Sequence, residues 1–242
     1  MKIYKLSAIS STNTYLKDLL SVEKVTNFTV VSTEFQTLGK GQMAAKWHSK
    51  KSKNLLFSIL ANHRILAISN QAYLNFAVSI AIYNVLQRLL PKVTIKWPND
   101  IMSHNKKICG ILIENSVKNG SIKYSIIGVG LNVNQLVFPN SIPNATSLKK
   151  ELKHSFNRNL LLEKLISSIQ KQVALLYETS FLALKNTYES VLYKKKKPTM
   201  FKNLAGITFL GRITGVTSAG LLLIELPDGT TKTFAVKEIF IL

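Results

Sequence analysis

The spacing of apolar residues in the first part of the chain changes between a helical and an extended period. Tyr and Leu recur at helical spacing over residues 14–20, which predicts a short helix capped by a hydroxyl or amide from residues 11–13. The β-branched run at 28–33 and the apolar run at 54–61 predict two strands. A long polar loop separates these strands, and a loop of this kind is usually functional.

The middle of the chain predicts one long helix followed by paired strands. Apolar residues keep to one helical face over 71–90. Short apolar runs at 93–96 and 107–115 flank a turn. The dipeptide Asn119-Gly120 favours a two-residue hairpin, whose return strand runs over 124–133.

The last third changes from helices to short strands. Helical spacing predicts two amphipathic helices over 159–177 and 181–193. The like-charged run Lys194–Lys197, followed by Pro198, continues neither a helix nor a strand well and is interpreted as a linker. Short β-runs broken by glycines follow, which is typical of a small barrel.

These patterns predict an α+β protein in two parts. Residues 1–197 are expected to form the larger domain, in which helices flank a β-sheet, and residues 198–242 a small β-domain. A chain of 242 residues and 27.1 kDa fits one large domain with a small appendage. With 46% hydrophobic residues and a mean hydropathy of +0.14, it has enough apolar material for a core, which excludes global disorder.

The net charge of +20 raises the question of a nucleic-acid partner. However, only four of the 32 basic residues are Arg, whereas phosphate and base recognition favours the bidentate Arg fork. The chain is also rich in Asn and Ile, as an AT-biased coding sequence would make it. Two interpretations therefore stay open: compositional drift, which we favour, and an electrostatic partner.

The single cysteine, Cys109, cannot form an internal disulfide, which favours a reducing compartment. Lys5 interrupts the N-terminal apolar stretch, so a signal peptide is not expected. No apolar run approaches the length of about 20 residues that spans a bilayer. We therefore expect a cytoplasmic protein that does not associate with membranes.

A glycine-containing loop is the first candidate for chemistry. Residues 39–44 satisfy a loose G-x-G-x-x-G/A pattern after a strand, but neither a helix nor an acidic residue follows where a dinucleotide fingerprint requires them. A loop with Lys40 and Lys46 can still bring backbone amides and ammonium groups to a phosphate. An ordinary surface loop is the alternative for this segment alone.

Two further segments carry polar groups beside buried strands. Residues 96–100, Lys-Trp-Pro-Asn-Asp, place an aromatic ring, an amide and a carboxylate in a rigid turn, although a turn alone would explain them. Lys106 and Lys107 precede an apolar strand in which Gly110 suggests close backbone approach. Residues 128–134 again place glycines in a strand before amide side chains.

The sequence offers little support for hydrolysis by a nucleophilic triad or by zinc. There is no Ser/His/Asp arrangement, no Cys/His metal pattern and no Walker loop. The histidines show no spacing that favours a metal site, and solvent exposure is expected for all of them: His48, His63, His104 and His154. The remaining pieces suit an anionic ligand.

Taken in order, these segments resemble the biotin protein ligases. The resemblance rests on residues 11–13 (Ser-Thr-Asn), 34–42 with Trp47, 96–100, 107–114 and 128–132, which occur in the family's order and spacing. It extends more weakly to the C-terminal part, where the family carries a small SH3-like barrel. It implies that residues 1–197 form the catalytic domain, with a mixed β-sheet flanked by helices. Each motif alone is weak, but five in order are specific.

The resemblance implies a two-step ligase. Biotin and ATP, with Mg²⁺, form biotinyl-5′-adenylate and pyrophosphate, and a specific lysine of a biotin carboxyl carrier domain then takes the biotin and releases AMP. Such catalysis rests on positioning and electrostatics more than on a protein nucleophile. The implied partner is that carrier protein, and the implied oligomeric state is a monomer or a homodimer.

The resemblance also assigns roles to individual residues. Lys107 is the implied catalytic residue, at the junction of carboxyl and phosphate, and Asp100 the implied Mg²⁺ contact through ATP. The implied biotin-binding residues are Ser11, Thr12, Asn13, Gln36, Lys40, Gly41, Gln42 and Lys107. The implied nucleotide-binding residues are Gly39, Lys40, Gly41, Gln42, Trp47, Asn99, Asp100, Lys107 and Asn132.

The chain also departs from the family pattern. The family loop commonly reads Gly-Arg-Gly-Arg-Arg-Gly or Gly-Arg-Gly-Gln-x-Gly, whereas this chain has Lys40, Gln42 and Ala44. Lys40 keeps a charge but loses the bidentate fork, so looser retention of the adenylate is one expectation. Because the chain begins close to the first motif, a DNA-binding domain and repressor activity are not expected. A lipoate or octanoate ligase or transferase and a basic nucleic-acid-binding protein are the alternatives.

Overall fold

A seven-stranded mixed sheet forms the centre of the larger part of the molecule, in a computed structural model that describes residues 2–42 and 45–242. In sheet order its strands are β1 (Ile3–Leu6), β2 (Val30–Thr33), β3 (Leu55–Asn62), β7 (Ser121–Leu131), β6 (Lys106–Lys118), β5 (Asp100–Ser103) and β4 (Val93–Lys96). β1 and β2 pair in parallel, and the other neighbours are antiparallel. The predicted mixed α+β class is confirmed.

Successive residues of the central strands point to opposite faces and build two cores. On β3, Ile59 joins the larger core and Leu60 the smaller one; on β7, Ile127 and Ile126 divide in the same way. This follows from the two-residue period of a strand. Both faces of the sheet are therefore covered by helices.

The helices divide unequally between the two faces. In the part of the chain that the structure describes, the five α-helices are α1 (Thr12–Val22), α2 (Gln71–Leu86), α3 (Leu148–Leu152), α4 (Arg158–Leu175) and α5 (Phe181–Ser190). α1 packs on β2, β3 and β7 around Leu16, while α2 packs on α4 and α5 over the opposite face. α2 is apolar nearly all round, as its position within the larger core requires.

A second, antiparallel sheet follows in the order β11 (Thr231–Phe234), β10 (Leu222–Glu225), β9 (Thr208–Val216), β8 (Pro198–Asn203) and β12 (Ile239–Ile241). Its inward side chains, among them Phe201 and Ile213, belong to the same core as α2. The pairings place β11 and β12 at the two edges, so the predicted barrel closure and the domain boundary at residue 198 stay predictions.

The tetralysine run between the last helix and β8 is an ordered connection. Glu189 accepts a hydrogen bond from the backbone of Val216 at 2.9 Å and forms ion pairs with Lys185 at 2.8 Å and Lys195 at 3.3 Å. The backbone of Lys196 donates to Ile213 at 2.9 Å. The run does lie between a helix and a strand, as the linker interpretation expects. These contacts hold it in place, which the sequence did not indicate.

Several short elements escape the sequence pattern. Strands β1, β5, β8 and β12, of three to six residues each, were not predicted from the sequence. Ser11 is the N-cap of α1, but its side chain makes no capping hydrogen bond, contrary to expectation. None of the helices within the described residues combines the length and apolar character that crossing a bilayer requires.

His63 corrects the expectation of exposed histidines, because it is only 7% exposed. Its Nδ1 lies 2.5 Å from the Tyr177 hydroxyl and its Nε2 lies 2.9 Å from Ser125 Oγ. Ser125 donates its proton to Asn115 Oδ1 at 2.7 Å, so the ring donates from Nε2 and accepts at Nδ1. Burial lowers the pKa of His63 to about 4.

This buried neutral ring predicts a loss of stability in acid. Between pH 6.5 and about 4 the unfolded chain binds a proton at His63 that the folded chain does not. The free energy of unfolding should therefore fall as the pH falls through this window, by up to about 3 kcal/mol from this group. Urea unfolding of the wild type and of His63→Gln at pH 7.5 and 4.5 measures it. Parallel pH profiles for the two chains would contradict the assignment.

Candidate active site

The N-terminus of α1 brings the Ser-Thr-Asn segment to a cavity beside the central sheet. Thr12 donates from its backbone N–H and its hydroxyl to Gln36 Oε1, at 2.8 and 3.1 Å. Both residues line the cavity together with Ser11. Because the Ser11 side chain does not cap the helix, its hydroxyl is available at the cavity wall.

Asn13 is held firmly from two sides. Its Nδ2 donates to Glu114 Oε2 at 2.6 Å, and its Oδ1 accepts from Ser58 Oγ at 2.5 Å. A side chain at Gly128 would collide with its Oδ1. Glycine in β7 is therefore the condition for this close approach of α1 to the sheet.

The glycine loop forms a narrow turn at the edge of the cavity. The backbone of Trp47 donates to Gly39 at 2.9 Å, and that of Gly41 to Ala45 at 2.7 Å. Lys40 donates from Nζ to Thr14 Oγ1 at 2.9 Å. The departure at Ala44 lies outside the described residues.

Trp47 folds back from this loop over the two central strands. A Cβ at Gly130 would lie 2.5 Å from the indole, and one at Gly110 would lie 3.0 Å from it. The glycines of β6 and β7 therefore make the seat of the indole, which explains the close approach suggested by the sequence. Lys107 Nζ lies 5.5 Å from the centroid of the same ring, a cation–π contact.

The turn over residues 97–100 is held by several elements. The Trp97–Pro98 peptide bond is cis. Pro98 O accepts from Asn75 Nδ2 of α2 at 2.7 Å and from the Tyr188 hydroxyl of α5 at 2.9 Å. Burial raises the pKa of Tyr188, which keeps the hydroxyl a donor. Asn99 is buried and donates from Nδ2 to the carbonyl of Ile111 on β6.

An ion pair lies where this turn meets β6. Lys107 Nζ is 2.6 Å from Asp100 Oδ1, with the two side chains 38% and 25% exposed. The backbone of Lys107 is fixed by the segment after β7, since its N–H donates to Asn144 at 2.7 Å and its carbonyl accepts from Thr146 at 2.9 Å. The pair is thus rigidly placed and still open to a ligand.

Two cavities meet at this ion pair. The first has a volume of about 230 Å³. Of the predicted site residues it is lined by Ser11, Thr12, Asn13, Gln36, Lys40, Gly41, Gln42, Trp47, Asn99, Asp100 and Lys107. The second has a volume of about 300 Å³ and is lined by Asn132 and by Trp47 and Lys107, which it shares with the first. Gly39 and Lys96 line neither of the two.

Polar atoms without partners indicate where a ligand could bind. Trp47 Nε1 and Asn132 Oδ1 are buried and have no hydrogen-bond partner among the described residues. Both residues line the second cavity. A buried polar atom without a partner is costly, so a donor and an acceptor at this place favour a polar ligand.

Positive charge dominates the site. Lys40, Lys46 and Lys107 line the first cavity, and Asp100 is its one carboxylate among the described residues. Burial lowers the pKa of Lys96, with Lys107 and Lys194 adding to the effect and Asp100 opposing it. Within residues 2–42 and 45–242 no three His, Cys, Asp or Glu side chains form a metal site. The arrangement suits an anion rather than a bare metal ion.

Some residues of the site carry no sequence signal. Ser58 lies within a strand and looks like any small core residue, yet it holds Asn13. Residues 141–145 line the second cavity, and Ala145 joins Lys107 through a single parallel bridge. Neither a periodic pattern nor a motif marks such a bridge. Glu114 is part of a recognised motif, but its bond to Asn13 could not be inferred.

Comparison with known proteins gives a consistent picture. The family model described as "Biotin/lipoate A/B protein ligase family" matches residues 6–132. The Bifunctional ligase/repressor BirA of Bacillus subtilis is 29% identical over 213 residues, which are 86% of this chain and 64% of that protein. BirA of Escherichia coli is 28% identical over 243 residues, covering 97% of this chain and 72% of that protein. The chain thus spans less than two thirds of the Bacillus protein.

Among solved structures, the biotin protein ligase from Aquifex aeolicus in complex with biotin and ATP is similar over the whole chain. The match has a TM-score of 0.81 and 25% identity and covers 100% of this chain and 98% of that one. It includes both sheets described above.

The seat of Trp47 gives a direct prediction. Gly130→Ala should displace the indole, because the added Cβ would lie 2.5 Å from it. In ¹⁵N–¹H spectra the indole N–H resonance of Trp47 should therefore shift, while that of Trp97, held by Gly220, should stay in place. The Trp97 resonance is therefore the internal control for the Trp47 resonance. Unchanged positions for both resonances would contradict the described packing.

Proposed function

The chain belongs to the biotin/lipoate A/B protein ligase family, and from that premise we propose that it is an ATP-dependent biotin protein ligase. It joins biotin to a specific lysine of a biotin carboxyl carrier domain through biotinyl-5′-adenylate. The observation that carries the proposal is the position of Lys107, which lines two adjoining cavities beside Asp100. The similar Aquifex aeolicus structure contains biotin and ATP.

We assign biotin to the first cavity. Thr12, Gln36 and Ser11 supply hydroxyl and amide groups for a polar ring system, and Ile111, Leu112 and Val129 supply an apolar wall. Small-molecule sites combine apolar walls with placed polar groups that fix orientation, and this cavity offers both. Asn13 shapes this wall, since both ends of its amide are already bonded.

We assign the nucleotide to the second cavity. Asn132 and Trp47 line this cavity, and among the described residues Asn132 Oδ1 and Trp47 Nε1 are buried without partners, while a nucleotide offers both donors and acceptors. Lys40, Gly41 and Gln42 then face the carboxylate and phosphate end. Asn99 keeps its oxygen and one N–H for such a contact, because the carbonyl of Ile111 takes only one of the two amide hydrogens.

Magnesium fits this donor set only as a companion of the phosphates. Mg²⁺ usually keeps several waters and binds one or two carboxylates together with substrate phosphates. Asp100 is the carboxylate that the first cavity offers, and it already pairs with Lys107. We therefore propose Asp100 as one protein ligand, with the remaining ligands from ATP and water. When bound, the ion helps to neutralise phosphate charge.

In the first step a biotin carboxylate oxygen attacks the α-phosphorus of ATP, and pyrophosphate leaves. Negative charge grows on the α-phosphate oxygens and on the leaving group. Lys107 is the catalytic residue, since its ammonium lies at the junction and stabilises that charge. In the second step the neutral amine of the acceptor lysine attacks the acyl carbon, the bond to AMP breaks, and the amine proton goes to solvent.

The glycine loop is proposed as a cover that shields the adenylate from water. Lys40 is bonded to Thr14 at 2.9 Å, so it must exchange this partner to reach a phosphate. It offers one point charge where an Arg would offer a fork. Looser retention of the adenylate than in relatives with Arg at this position is the proposed consequence.

Binding of biotin separates the proposal from its alternatives. Calorimetry at moderate salt should show biotin binding at micromolar affinity or better, and pyrophosphate should be released only when biotin and ATP are both present. Preference for octanoate or lipoate over biotin would favour the other branch of the family. Salt-dependent binding of DNA without biotin binding would favour the nucleic-acid alternative.

Removing the Lys107 ammonium should slow adenylate formation strongly. Lys107→Ala is expected to lower the rate of biotin-dependent pyrophosphate release by about 100-fold or more, as the loss of a preorganised charge at a transition state does. Lys106→Ala is the matched control, because this exposed neighbour lines neither cavity. A folded Lys107→Ala variant that works at the wild-type rate would falsify the catalytic role.

A further inference from the structure

The second sheet meets the candidate site through a partly buried hydrogen bond. Trp97 Nε1 donates to the carbonyl of Gly220 at 2.8 Å, and Trp97 is only 7% exposed. Resting on the proposed function, we propose that Trp97 is a positioning residue through which the second sheet sets the geometry of the Asp100–Lys107 pair.

The acceptor side of this hydrogen bond is rigid. Gly220 lies in the turn between β9 and β10, where its N–H donates to Thr217 at 3.0 Å and the N–H of Thr217 donates to Leu221 at 2.9 Å. Gly220 has a φ of +85°, and a Cβ there would lie 2.8 Å from the Cβ of Ala72 on α2. The carbonyl that receives the indole is therefore fixed by its own turn and by a helix.

The donor side leads directly to the ion pair. Trp97 ends the path of β4 and is three residues before Asp100, which opens β5. Between them, Pro98 O is held by α2 and α5, and Asn99 is held by β6. The larger part of the molecule thus fixes the middle of the turn, and the second sheet fixes its beginning.

Loss of the indole N–H should loosen only one end of the turn. Asp100 then moves relative to Lys107, whose own backbone stays bonded to residues 144 and 146. In the pocket assigned to biotin, the end formed by Thr12 and Gln36 is less affected, because these residues belong to α1 and to the loop after β2, whereas Asp100 and Lys107 line its other end. The rate of the chemical step should therefore change more than the affinity for biotin.

The first readout does not depend on catalysis. An amine-reactive ester is applied to the full chain, and the labelling of each lysine is followed by mass spectrometry. An ammonium held 2.6 Å from a carboxylate reacts slowly, so Lys107 should be labelled several-fold faster in Trp97→Phe than in the wild type. Labelling of Lys40 should be the same in both.

The second readout is kinetic. In Trp97→Phe the kcat for pyrophosphate release should fall by about ten-fold, as a small misplacement at a reacting centre does, while the KM for biotin stays within about two-fold. Tyr177→Phe is the control, since it removes a partly buried hydrogen bond to His63, and neither residue belongs to the turn or lines the two cavities. It should lower stability and leave both readouts unchanged.

A second variant keeps the inference testable if Trp97→Phe does not fold. Gly220→Ala moves the acceptor carbonyl by the clash with Ala72 and should give the same two changes. Unchanged Lys107 labelling and unchanged kcat in a folded variant overturn the inference. A wild-type chain that releases no pyrophosphate overturns the proposed function instead, and the labelling result then decides the inference alone.

Discussion

The ion pair between Asp100 and Lys107 is the contact on which the rest of the site depends. As a partly exposed pair it adds little to stability, so its value lies in position. Three separate elements fix it: the turn after β4 carries Asp100, β6 carries Lys107, and the segment after β7 bonds to the Lys107 backbone. The two cavities adjoin at this pair because both are built around Lys107.

A second constraint is that three positions on the central strands β6 and β7 are glycines and so carry no side chain. Gly110, Gly128 and Gly130 leave room for Trp47 and Asn13 to lie against the sheet backbone. Glycine weakens a strand interior, so the sheet gives up packing at the place where the site is built. The same central pair of strands, β6 and β7, is flanked by helices on both faces, which offsets that loss.

The sequence predicted β2, β3, β6, β7, the hairpin at Asn119-Gly120 and the main helices, because each has a clear period or turn signal. The mixed pairing of the sheet was implied by the family resemblance. The order of the motifs also indicated most of the residues that line the candidate site. It could not predict the cage around Asn13, the bridge at Ala145 or the contact from Trp97 to Gly220, since these join residues that are distant in the chain. His63 was misjudged for the same reason: its partners come from two other elements.

We propose that Lys107 lies between biotin and the nucleotide. A crystal structure of the chain with biotin and ATP, or with the adenylate they form, tests it most directly. In that structure, biotin should lie beside Thr12 and Gln36, and the nucleotide beside Asn132 and Trp47. Lys107 Nζ should lie within hydrogen-bond distance of the carboxyl or α-phosphate oxygens. Both ligands bound, with Lys107 directed away from that junction, would contradict it.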